Sequence, residues 1–304
     1  MKRAIVSGAT GFVGVHLVKE LIRRGADVIA LVRSDSVNIN RLPDSATIIK
    51  CNMDEYDRLA ERISGEKPDV FFHLAWEGSS FSSRTDALLQ AQNAQHSLSA
   101  MKAAKLLGCT KFVATGTVYE NFNEQISAAS SFHSISYYVL SKKYANNMSL
   151  QQALHLEIEL AWCTFCQPIG RYIDKDRVFC YAVNSLLAGK PPVFGPANNW
   201  FDVVDVEDLA VGLFLAGEQK LTKSEYYIGS GKARLLRDYL TELPQILDVK
   251  TSVLIGRHPD DGLRFDPEWF NSEPFFTETG FVPRYGFSET VQRLRDYITG
   301  NNGG

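Results

Sequence analysis

Three glycines near the beginning of the chain constrain its fold more than any other feature of the sequence. A short apolar run over residues 3–7 leads into Gly8, Gly11 and Gly14, and a helical pattern starts at residue 12. Glycine permits a tight turn between a strand and a helix, and it lets backbone N–H groups approach a pyrophosphate at the positive end of the helix. A glycine-rich turn without a ligand is the alternative, but the strand–turn–helix context favours dinucleotide binding. The residues predicted to form this cofactor-binding turn are Gly8, Thr10, Gly11, Phe12, Val13 and Gly14.

The first half of the chain alternates short apolar runs with longer helical patterns. Strands are predicted over residues 3–7, 27–32, 47–51, 70–75, 111–115 and 157–163, and helices over 12–24, 55–63, 86–107 and 136–154. This alternation is typical of the α/β class. It predicts a doubly wound parallel sheet, a Rossmann fold, with helices on both faces.

The pattern changes after residue 167, where the predicted elements become shorter and prolines and glycines crowd residues 189–196. We predict that this part forms a smaller, mixed α/β C-terminal lobe that binds the substrate. The dinucleotide-binding domain is accordingly predicted over residues 1–167, with returning segments near 203–229, and the substrate-binding lobe over 168–202 and 230–304.

The composition argues against several classes of partner. With 32 lysines and arginines against 35 acidic residues, the 304-residue chain has a formal charge of -3 and lacks the positive field that nucleic acid or an anionic membrane would need. No apolar run approaches the roughly 18 residues that cross a bilayer. Five scattered cysteines, Cys163 and Cys166 among them, form neither a disulfide framework nor a metal-ligand pattern. We therefore predict a cytoplasmic enzyme or small-molecule binder without a metal.

The end of the second predicted strand bears on the choice of cofactor. NAD-binding folds usually place an acidic residue there to hold the ribose hydroxyls, whereas this chain has Val32 followed by Arg33 and Ser34. An arginine and a hydroxyl suit the 2′-phosphate of NADP(H). A solvated loop arginine is the alternative interpretation. The sequence therefore favours NADP(H), with NAD(H) as the alternative cofactor.

A tyrosine and a lysine four residues apart supply a candidate acid–base group. Tyr138 and Lys142 share one face of the helix predicted over 136–154, because side chains at i and i+4 lie on the same side. A nearby ammonium stabilises a phenolate and lowers the pKa of a tyrosine toward the working pH of a general acid–base. Tyr137 and Lys143 are adjacent competitors, so the assignment depends on the position of the pair in the fold.

Several further motifs occur in an order that is typical of one family. They are residues 8–14, the Phe-His-Leu-Ala sequence at 72–75, Asn93, the Thr-Gly-Thr-Val-Tyr sequence at 115–119, Tyr138 with Lys142, Gln167 with Pro168, residues 201–210 and residues 227–231. In these motifs the chain resembles an extended short-chain dehydrogenase/reductase, of the branch that acts on nucleotide-diphosphate sugars.

The resemblance implies roles for individual residues. Thr115 would hydrogen-bond the substrate oxygen, Tyr138 would exchange its proton, and Lys142 would bind the nicotinamide ribose and tune Tyr138. Further cofactor contacts would come from Asn52, Met53, Leu74, Ala75 and Asn93. The helices over 86–107 and 136–154 would pack against a second copy in a homodimer.

Departures from the family pattern bear on the reaction and the substrate. Sugar dehydratases of the family carry an Asp-Glu pair after the catalytic threonine, but this chain has Gly116 and Thr117, which argues against dehydration. The segment 201–205 also lacks an arginine that normally helps to hold the substrate diphosphate. The arginines considered as replacements are Arg171, Arg177 and Arg234. The predicted substrate contacts are Trp76, Glu77, Thr117, Thr164 and Arg171.

Together these observations favour an NADPH-dependent reductase of a keto group on a nucleotide-diphosphate sugar, of the 4-keto-6-deoxy hexose type. An NAD-dependent nucleotide-sugar 4-epimerase uses the same groups and is the alternative, although Arg33 disfavours it. A reductase of a non-nucleotide ketone stays open because the diphosphate arginine is missing. A cofactor sensor without turnover is disfavoured because Thr115, Tyr138 and Lys142 are all retained.

Overall fold

The computed structural model describes residues 1–78, 82–260 and 262–300. The chain divides into two compact units. The first unit comprises residues 1–164, 210–226 and 277–281, and the second comprises residues 165–209, 227–276 and 282–304. The chain therefore leaves the first unit after residue 164 and returns to it in two later segments.

Strands and helices alternate along the first 164 residues. The strands are β1 (Arg3–Ser7), β2 (Asp27–Val32), β3 (Thr47–Lys50), β4 (Val70–His73), β5 (Lys111–Thr115) and β6 (Glu159–Thr164). The helices are α1 (Phe12–Arg23), α2 (Leu59–Arg62), α3 (Ala87–Leu106), α4 (Asn123–Ala128) and α5 (Ser136–Leu156). Short 3-10 turns occupy Ile39–Arg41, Met53–Arg58, Ser82–Thr85 and Val118–Phe122.

The elements of the rest of the chain are shorter. The strands are β7 (Gln167–Ile169), β8 (Trp200–Phe201), β9 (Val203–Asp205), β10 (Glu225–Tyr227) and β11 (Arg234–Leu235). The helices are α6 (Val178–Leu187), α7 (Val206–Glu218), α8 (Leu236–Leu247), α9 (Glu273–Thr279) and α10 (Phe287–Thr299), and a 3-10 turn occupies Pro267–Phe270. None of the helices in the described part of the chain is long and apolar enough to cross a membrane.

The main sheet confirms the predicted doubly wound architecture. Its strand order is β10-β6-β5-β4-β1-β2-β3, and β1 to β6 pair in parallel with their neighbours. Every residue of β4 and β5 is buried, as expected for strands that are covered on both faces. β3, at one edge of the sheet, is mostly exposed.

β3 ends at Lys50 rather than at residue 51, and β6 ends at Thr164 rather than at residue 163. Two larger differences from the predicted strand boundaries have local reasons. β4 ends at His73 rather than at residue 75, because residues 74–77 leave the sheet and form a loop that is held by side chains of α3. β6 begins at Glu159 rather than at residue 157, because α5 continues to Leu156 and Glu157 then adopts a φ of 51° as its left-handed C-terminal cap.

The strand order places a binding crevice at one edge of the sheet. The chain runs outward from β1 in both directions, through β2 and β3 on one side and through β4 and β5 on the other. Ligands of such sheets bind outside the carboxyl ends of the strands, where the order reverses. The four strands that surround this point end at Ser7, Val32, His73 and Thr115.

Small residues bring two long helices close to the sheet and to each other. Phe71, Phe112 and Trp162 fill the core beneath α3 and α5 with at most 1% of their surface exposed. The helices present alanines to this core, namely Ala94, Ala100, Ala103, Ala104, Ala145 and Ala153. The close approach fixes the positions of polar side chains near the carboxyl edge of the sheet.

The second unit has its own small sheets and core. β7 pairs with β9 in parallel, and β8 pairs with β11 in antiparallel fashion. Phe179, Tyr239 and Phe287 pack edge to face at centroid distances of 4.7–5.9 Å. Arg284 donates from Nε to the buried Asp208 carboxylate at 2.8 Å. The unit is a mixed α/β structure, as the sequence predicted.

Candidate active site

The glycine turn after β1 is packed so closely that side chains cannot be accommodated. Gly8 has a φ of +68°, and a Cβ on it would lie 2.8 Å from the Ala75 nitrogen. A Cβ on Gly14 would lie 2.1 Å from the Gly8 carbonyl oxygen. The Gly11 N–H donates to that same oxygen at 3.0 Å. The structure therefore brings the turn directly against Leu74 and Ala75 after β4, two residues whose predicted contact with the cofactor stays a prediction.

The start of α1 fits the phosphates of a dinucleotide. Gly11 is the N-cap and has no side chain to accept hydrogen bonds from the first turn of the helix. Backbone N–H groups of Phe12, Val13 and Gly14 lie in that first turn, where an α-helix has no carbonyl partner for them. Thr10 Oγ1 lies 3.1 Å from Ser36 Oγ, which ties the turn to the loop after β2. The oxygens of a pyrophosphate bound here would accept hydrogen bonds from these N–H groups.

The residues predicted to surround the adenosine ribose lie together at the ends of β2 and β3. Asn52 Oδ1 accepts hydrogen bonds from the Ser34 N–H at 3.1 Å and from Ser34 Oγ at 3.3 Å. Met53 begins the 3-10 turn that Asn52 caps. Arg33 has 58% of its side chain exposed and lies between two acids, with Nε 3.6 Å from Asp35 Oδ1 and Nη1 3.9 Å from Glu77 Oε1.

Two buried amides of α3 hold the loop that follows β4. The side chain of Asn93 accepts from the Glu77 N–H and donates to the Glu77 carbonyl oxygen, both at 2.8 Å. Gln90 Oε1 accepts from Trp76 Nε1 at 2.9 Å, and its Nε2 donates to the Gly78 and Ser83 carbonyl oxygens. Asn93 was predicted as a cofactor contact, but its amide group makes hydrogen bonds that position this loop. Gln90 was not predicted, and its spacing of three residues from Asn93 was the available signal.

The three predicted catalytic residues converge at the end of β5. Lys142 Nζ donates to the Thr115 carbonyl oxygen at 2.8 Å and lies 3.8 Å from the centroid of the Trp76 ring. The Tyr138 ring meets Trp76 edge to face at 6.1 Å, and Thr115 Oγ1 donates to the His73 carbonyl oxygen at 3.5 Å. Thr115, Tyr138 and Lys142 are all less than 10% exposed. The adjacent Tyr137 is 37% exposed, so burial separates Tyr138 from its competitor.

An arginine that the sequence analysis did not single out lies over the candidate proton donor. The Arg84 guanidinium carbon is 4.7 Å from the centroid of the Tyr138 ring and 5.8 Å from that of Tyr119. Arg84 belongs to the 3-10 turn that Gln90 holds through Ser83. A cation on the face of an aromatic ring is attracted to it, and it adds positive charge beside the phenol.

A buried carboxyl group, Glu120, is the third feature that sequence reasoning missed. Its oxygens accept from the Thr117 N–H at 2.9 Å, Asn146 Nδ2 at 3.1 Å and Trp162 Nε1 at 3.2 Å. A Cβ on Gly116 would lie 2.5 Å from Glu120 Oε1. Positions 116 and 117 carry no acid, but the fold places one beside them. The Thr-x-x-Glu spacing of a capping box, Thr117 to Glu120, was the signal in the sequence.

Burial and charge act on Glu120 and Lys142 in opposite directions. Burial raises the pKa of the Glu120 carboxyl group, and the positive charge of Lys142 and the three donors oppose this. Burial lowers the pKa of the Lys142 ammonium group, and the negative charge of Glu120 opposes that change. Each group therefore favours the charged form of the other.

Comparison with known proteins identifies the family. Residues 4–229 match the NAD dependent epimerase/dehydratase family. The chain belongs to this family. It is 25% identical to UDP-glucose 4-epimerase of Mycolicibacterium smegmatis, with 79% of this chain and 81% of that protein aligned. It is 23% identical to CDP-abequose synthase of Salmonella typhimurium, with 79% of each protein aligned.

A solved structure of the same fold covers nearly the whole chain. The UDP-glucose 4-epimerase of Thermotoga maritima superimposes with a TM-score of 0.85 at 20% identity, over 99% of this chain and 100% of that one. The prediction of an extended dehydrogenase/reductase fold is confirmed, and so is the prediction of an NAD(P)-dependent enzyme.

The remaining predicted substrate residues of this epimerase/dehydratase family member have structural partners. The Thr117 hydroxyl is buried and accepts from the Tyr119 N–H at 3.3 Å, so it caps the 3-10 turn. Thr164 Oγ1 donates to the Tyr226 carbonyl oxygen at 3.3 Å. Arg171 lies in the second unit, 5.6 Å from the centroid of the Tyr297 ring. Arg234 donates to Glu242, and Arg177 lies 3.9 Å from Asp174. Their contacts with substrate stay predictions.

Burial determines the protonation of a histidine and two cysteines near the ends of β4 and β6. His73 is 3% exposed, with Nδ1 2.8 Å from Ser7 Oγ and Nε2 3.1 Å from Ser97 Oγ, so both ring nitrogens have partners. Burial raises the pKa of the Cys163 thiol to about 12, which keeps it protonated. The pKa of the Cys166 thiol is raised for the same reason.

The buried His73 makes the stability of this protein depend on pH. Burial lowers the pKa of its imidazole from 6.5 to about 3. Because the folded pKa is lower than the unfolded one, this contribution to stability is present above pH 6.5 and is lost as the pH falls toward 3. We expect the free energy of unfolding to fall by about 2 kcal/mol between pH 7 and pH 5 from this group alone.

Urea unfolding of wild type and His73→Gln at both pH values measures this contribution. Between the two pH values, the free energy of unfolding of His73→Gln should change by about 2 kcal/mol less than that of wild type, whatever the absolute stability of the variant. His155→Gln, which changes an exposed histidine of α5, should keep the full difference. Equal pH dependence in wild type and His73→Gln would show that the pKa of His73 is the same in the folded and the unfolded protein.

Proposed function

We propose that this enzyme is an NADPH-dependent reductase of a keto group on a nucleotide-diphosphate sugar, of the 4-keto-6-deoxy hexose type. The observation that carries the proposal is the buried cluster of Thr115, Tyr138 and Lys142 at the carboxyl end of β5, with no acid at the two positions after Thr115. Such a cluster can protonate a carbonyl oxygen, but it lacks the adjacent acid–base pair that a dehydration would use.

The side chains have distinct roles in this proposal. The bound cofactor would supply a hydride to the carbonyl carbon. Tyr138 donates its phenolic proton to the substrate oxygen, and the Lys142 ammonium stabilises the phenolate that results. Thr115 Oγ1, whose bond to the His73 carbonyl oxygen is long at 3.5 Å, turns to the same substrate oxygen. Trp76, held by Gln90, covers the cluster and limits access of water.

The choice of substrate class rests on the relatives. The names of the Mycolicibacterium and Salmonella proteins refer to sugars linked to UDP and CDP. The choice of NADPH rests on the end of β2, where Val32 is buried and Arg33 is exposed beside Ser34. An exposed guanidinium at that strand end suits a 2′-phosphate, to which charge-assisted hydrogen bonds contribute about 1.5–3 kcal/mol each.

A fluorescence titration of cofactor-free protein with NADPH and NADH tests the cofactor assignment. Wild type should prefer NADPH, and Arg33→Ala should weaken NADPH binding about tenfold or more while changing NADH binding little. Arg23→Ala is a matched control, because Arg23 is similarly exposed and is paired with an acid, Glu20. It lies at the C-terminal end of α1. Preference of the wild type for NADH, or bound NAD that cannot be removed, would overturn the NADPH assignment.

An NAD-dependent 4-epimerase is the second candidate, and one observation favours it. Asp35 and Glu77 both lie within 4 Å of the Arg33 guanidinium, so carboxylates accompany the arginine at the ribose end of the site. Turnover separates the two functions. A reductase consumes one NADPH for each keto sugar, whereas an epimerase interconverts two sugar nucleotides without net consumption of cofactor.

A further inference from the structure

Glu120 lies beside the catalytic cluster but has no part in the proposed chemistry. It is 3% exposed and is held by donors from three elements, the Thr117 N–H before the 3-10 turn, Asn146 of α5 and Trp162 of β6. All three donors are neutral. A carboxylate that is buried among neutral groups is unfavourable unless a cation lies near it.

Lys142 is the cation that acts on this carboxylate. It is 4% exposed, and it contacts the neutral Thr115 carbonyl oxygen and the Trp76 ring. Asn146, which holds Glu120, lies one helical turn after Lys142 and therefore on the same face of α5. Lys142 donates to the Thr115 carbonyl oxygen and Glu120 accepts from the Thr117 N–H, so both buried groups are held against residues 115–117 at the end of β5.

We propose that Glu120 is a positioning residue for the reaction, whose carboxylate keeps the Lys142 side chain in its ammonium form so that it can stabilise the Tyr138 phenolate. The role of Lys142 in this inference rests on the proposed function. The charge on Lys142 does not, because it follows from the placement of Glu120, whose negative charge opposes the effect of burial.

The other titratable or charged groups near the cluster do not supply negative charge. His73, at the end of β4, is neutral at physiological pH because burial lowers its pKa to about 3. Arg84, from the turn before α3, adds positive charge over Tyr138. Cys163, on β6, stays protonated because burial raises its pKa to about 12. Among the described groups, Glu120 is the one whose negative charge favours the ammonium form of Lys142.

NMR of protein labelled with ¹³C-lysine tests the proposal without any substrate. The Lys142 resonance is assigned by its loss in Lys142→Met and is then titrated in wild type and in Glu120→Gln. We expect the pKa of Lys142 to fall by about one unit or more in Glu120→Gln, because an opposite charge is removed. Glu120→Asp, which keeps the charge, should restore most of the shift. Glu55→Gln removes the carboxylate of the other capping box, beside Asn52, and should leave the Lys142 titration unchanged.

The reciprocal measurement does not depend on the folding of Glu120→Gln. In Lys142→Met the pKa of Glu120, followed through its ¹³C carboxyl shift, should rise by about one unit or more. An unchanged titration of Lys142 in Glu120→Gln, or of Glu120 in Lys142→Met, would overturn the proposal and leave Glu120 as a structural cap.

Kinetics separate failure of this inference from failure of the proposed function. If the enzyme reduces a keto sugar, the alkaline limb of its kcat profile should move to lower pH in Glu120→Gln by the same amount as the Lys142 pKa. A shifted Lys142 pKa without any reductase activity would refute the proposed function alone. Reductase activity with an unshifted alkaline limb would refute the role of Glu120 alone.

Discussion

Tyr138→Phe is expected to lower kcat about 10²–10⁴-fold, the range by which a positioned general acid accelerates a reaction. The substitution removes the phenolic hydroxyl but keeps the ring that packs edge to face on Trp76. Cofactor affinity should therefore stay within about twofold, because the glycine turn and the ribose end are untouched. Absorbance of NADPH during turnover gives kcat, and the fluorescence titration gives the affinity.

Tyr137→Phe is the matched control for this prediction. Tyr137 precedes Tyr138 on α5, but it is 37% exposed and its ring packs against Phe132 rather than against Trp76. Removal of the Tyr137 hydroxyl should leave kcat within about twofold of the wild-type value. Turnover at the wild-type rate in Tyr138→Phe would show that another group protonates the substrate. Loss of cofactor binding in that variant would instead show a structural role for the hydroxyl.

Gly14→Ala is expected to destabilise the protein by about 1–3 kcal/mol or more and to weaken cofactor binding at least about tenfold. The added Cβ would lie 2.1 Å from the Gly8 carbonyl oxygen and 3.0 Å from the Ala9 Cα, which are backbone atoms of the turn itself. The helix would have to move away from the turn, and its first N–H groups would move with it. Urea unfolding and the NADPH titration measure the two effects.

Gly286→Ala provides the corresponding control in the second unit. Gly286 caps α10 with a φ of -76°, and a Cβ there would meet no atom within 4 Å. We expect a loss of about 0.5–1 kcal/mol in stability, because alanine is a poorer N-cap than glycine, and no change in cofactor binding. Cofactor binding by Gly14→Ala at wild-type strength would mean that the turn is more adaptable than its contacts indicate, and the phosphate site would then have to be placed elsewhere.

Much of the fold could be predicted because its signals are local in the sequence. β1, β2 and β5 have the predicted bounds, since each is a short apolar run with a clear break at its end. The glycine spacing of three and the four-residue spacing of Tyr138 and Lys142 are likewise local, and the structure places both as expected. The predicted strand boundary was wrong where side chains from another part of the chain hydrogen-bond to the backbone, as they do at residues 74–77.

The candidate site could be predicted only in part, because several of its side chains have partners that are distant in the sequence. Asn93 matched a cofactor position of the family, yet its amide is used by Glu77. Arg33 is predicted to contact a 2′-phosphate, and the structure also places Asp35 and Glu77 beside it. In both cases the residue is the one that the motif requires, but tertiary packing decides which groups its side chain contacts.

The sequence by itself determined the parallel sheet, the glycine turn and the candidate catalytic group, since backbone conformation and side-chain periodicity depend on neighbouring residues. Only the tertiary structure decided what surrounds that group. Glu120 lies in a turn after β5 and Lys142 on the next long helix, and no pattern along the chain links them. The packing of α5 against the sheet brings both out of water into one low-dielectric region, where each charge favours the other.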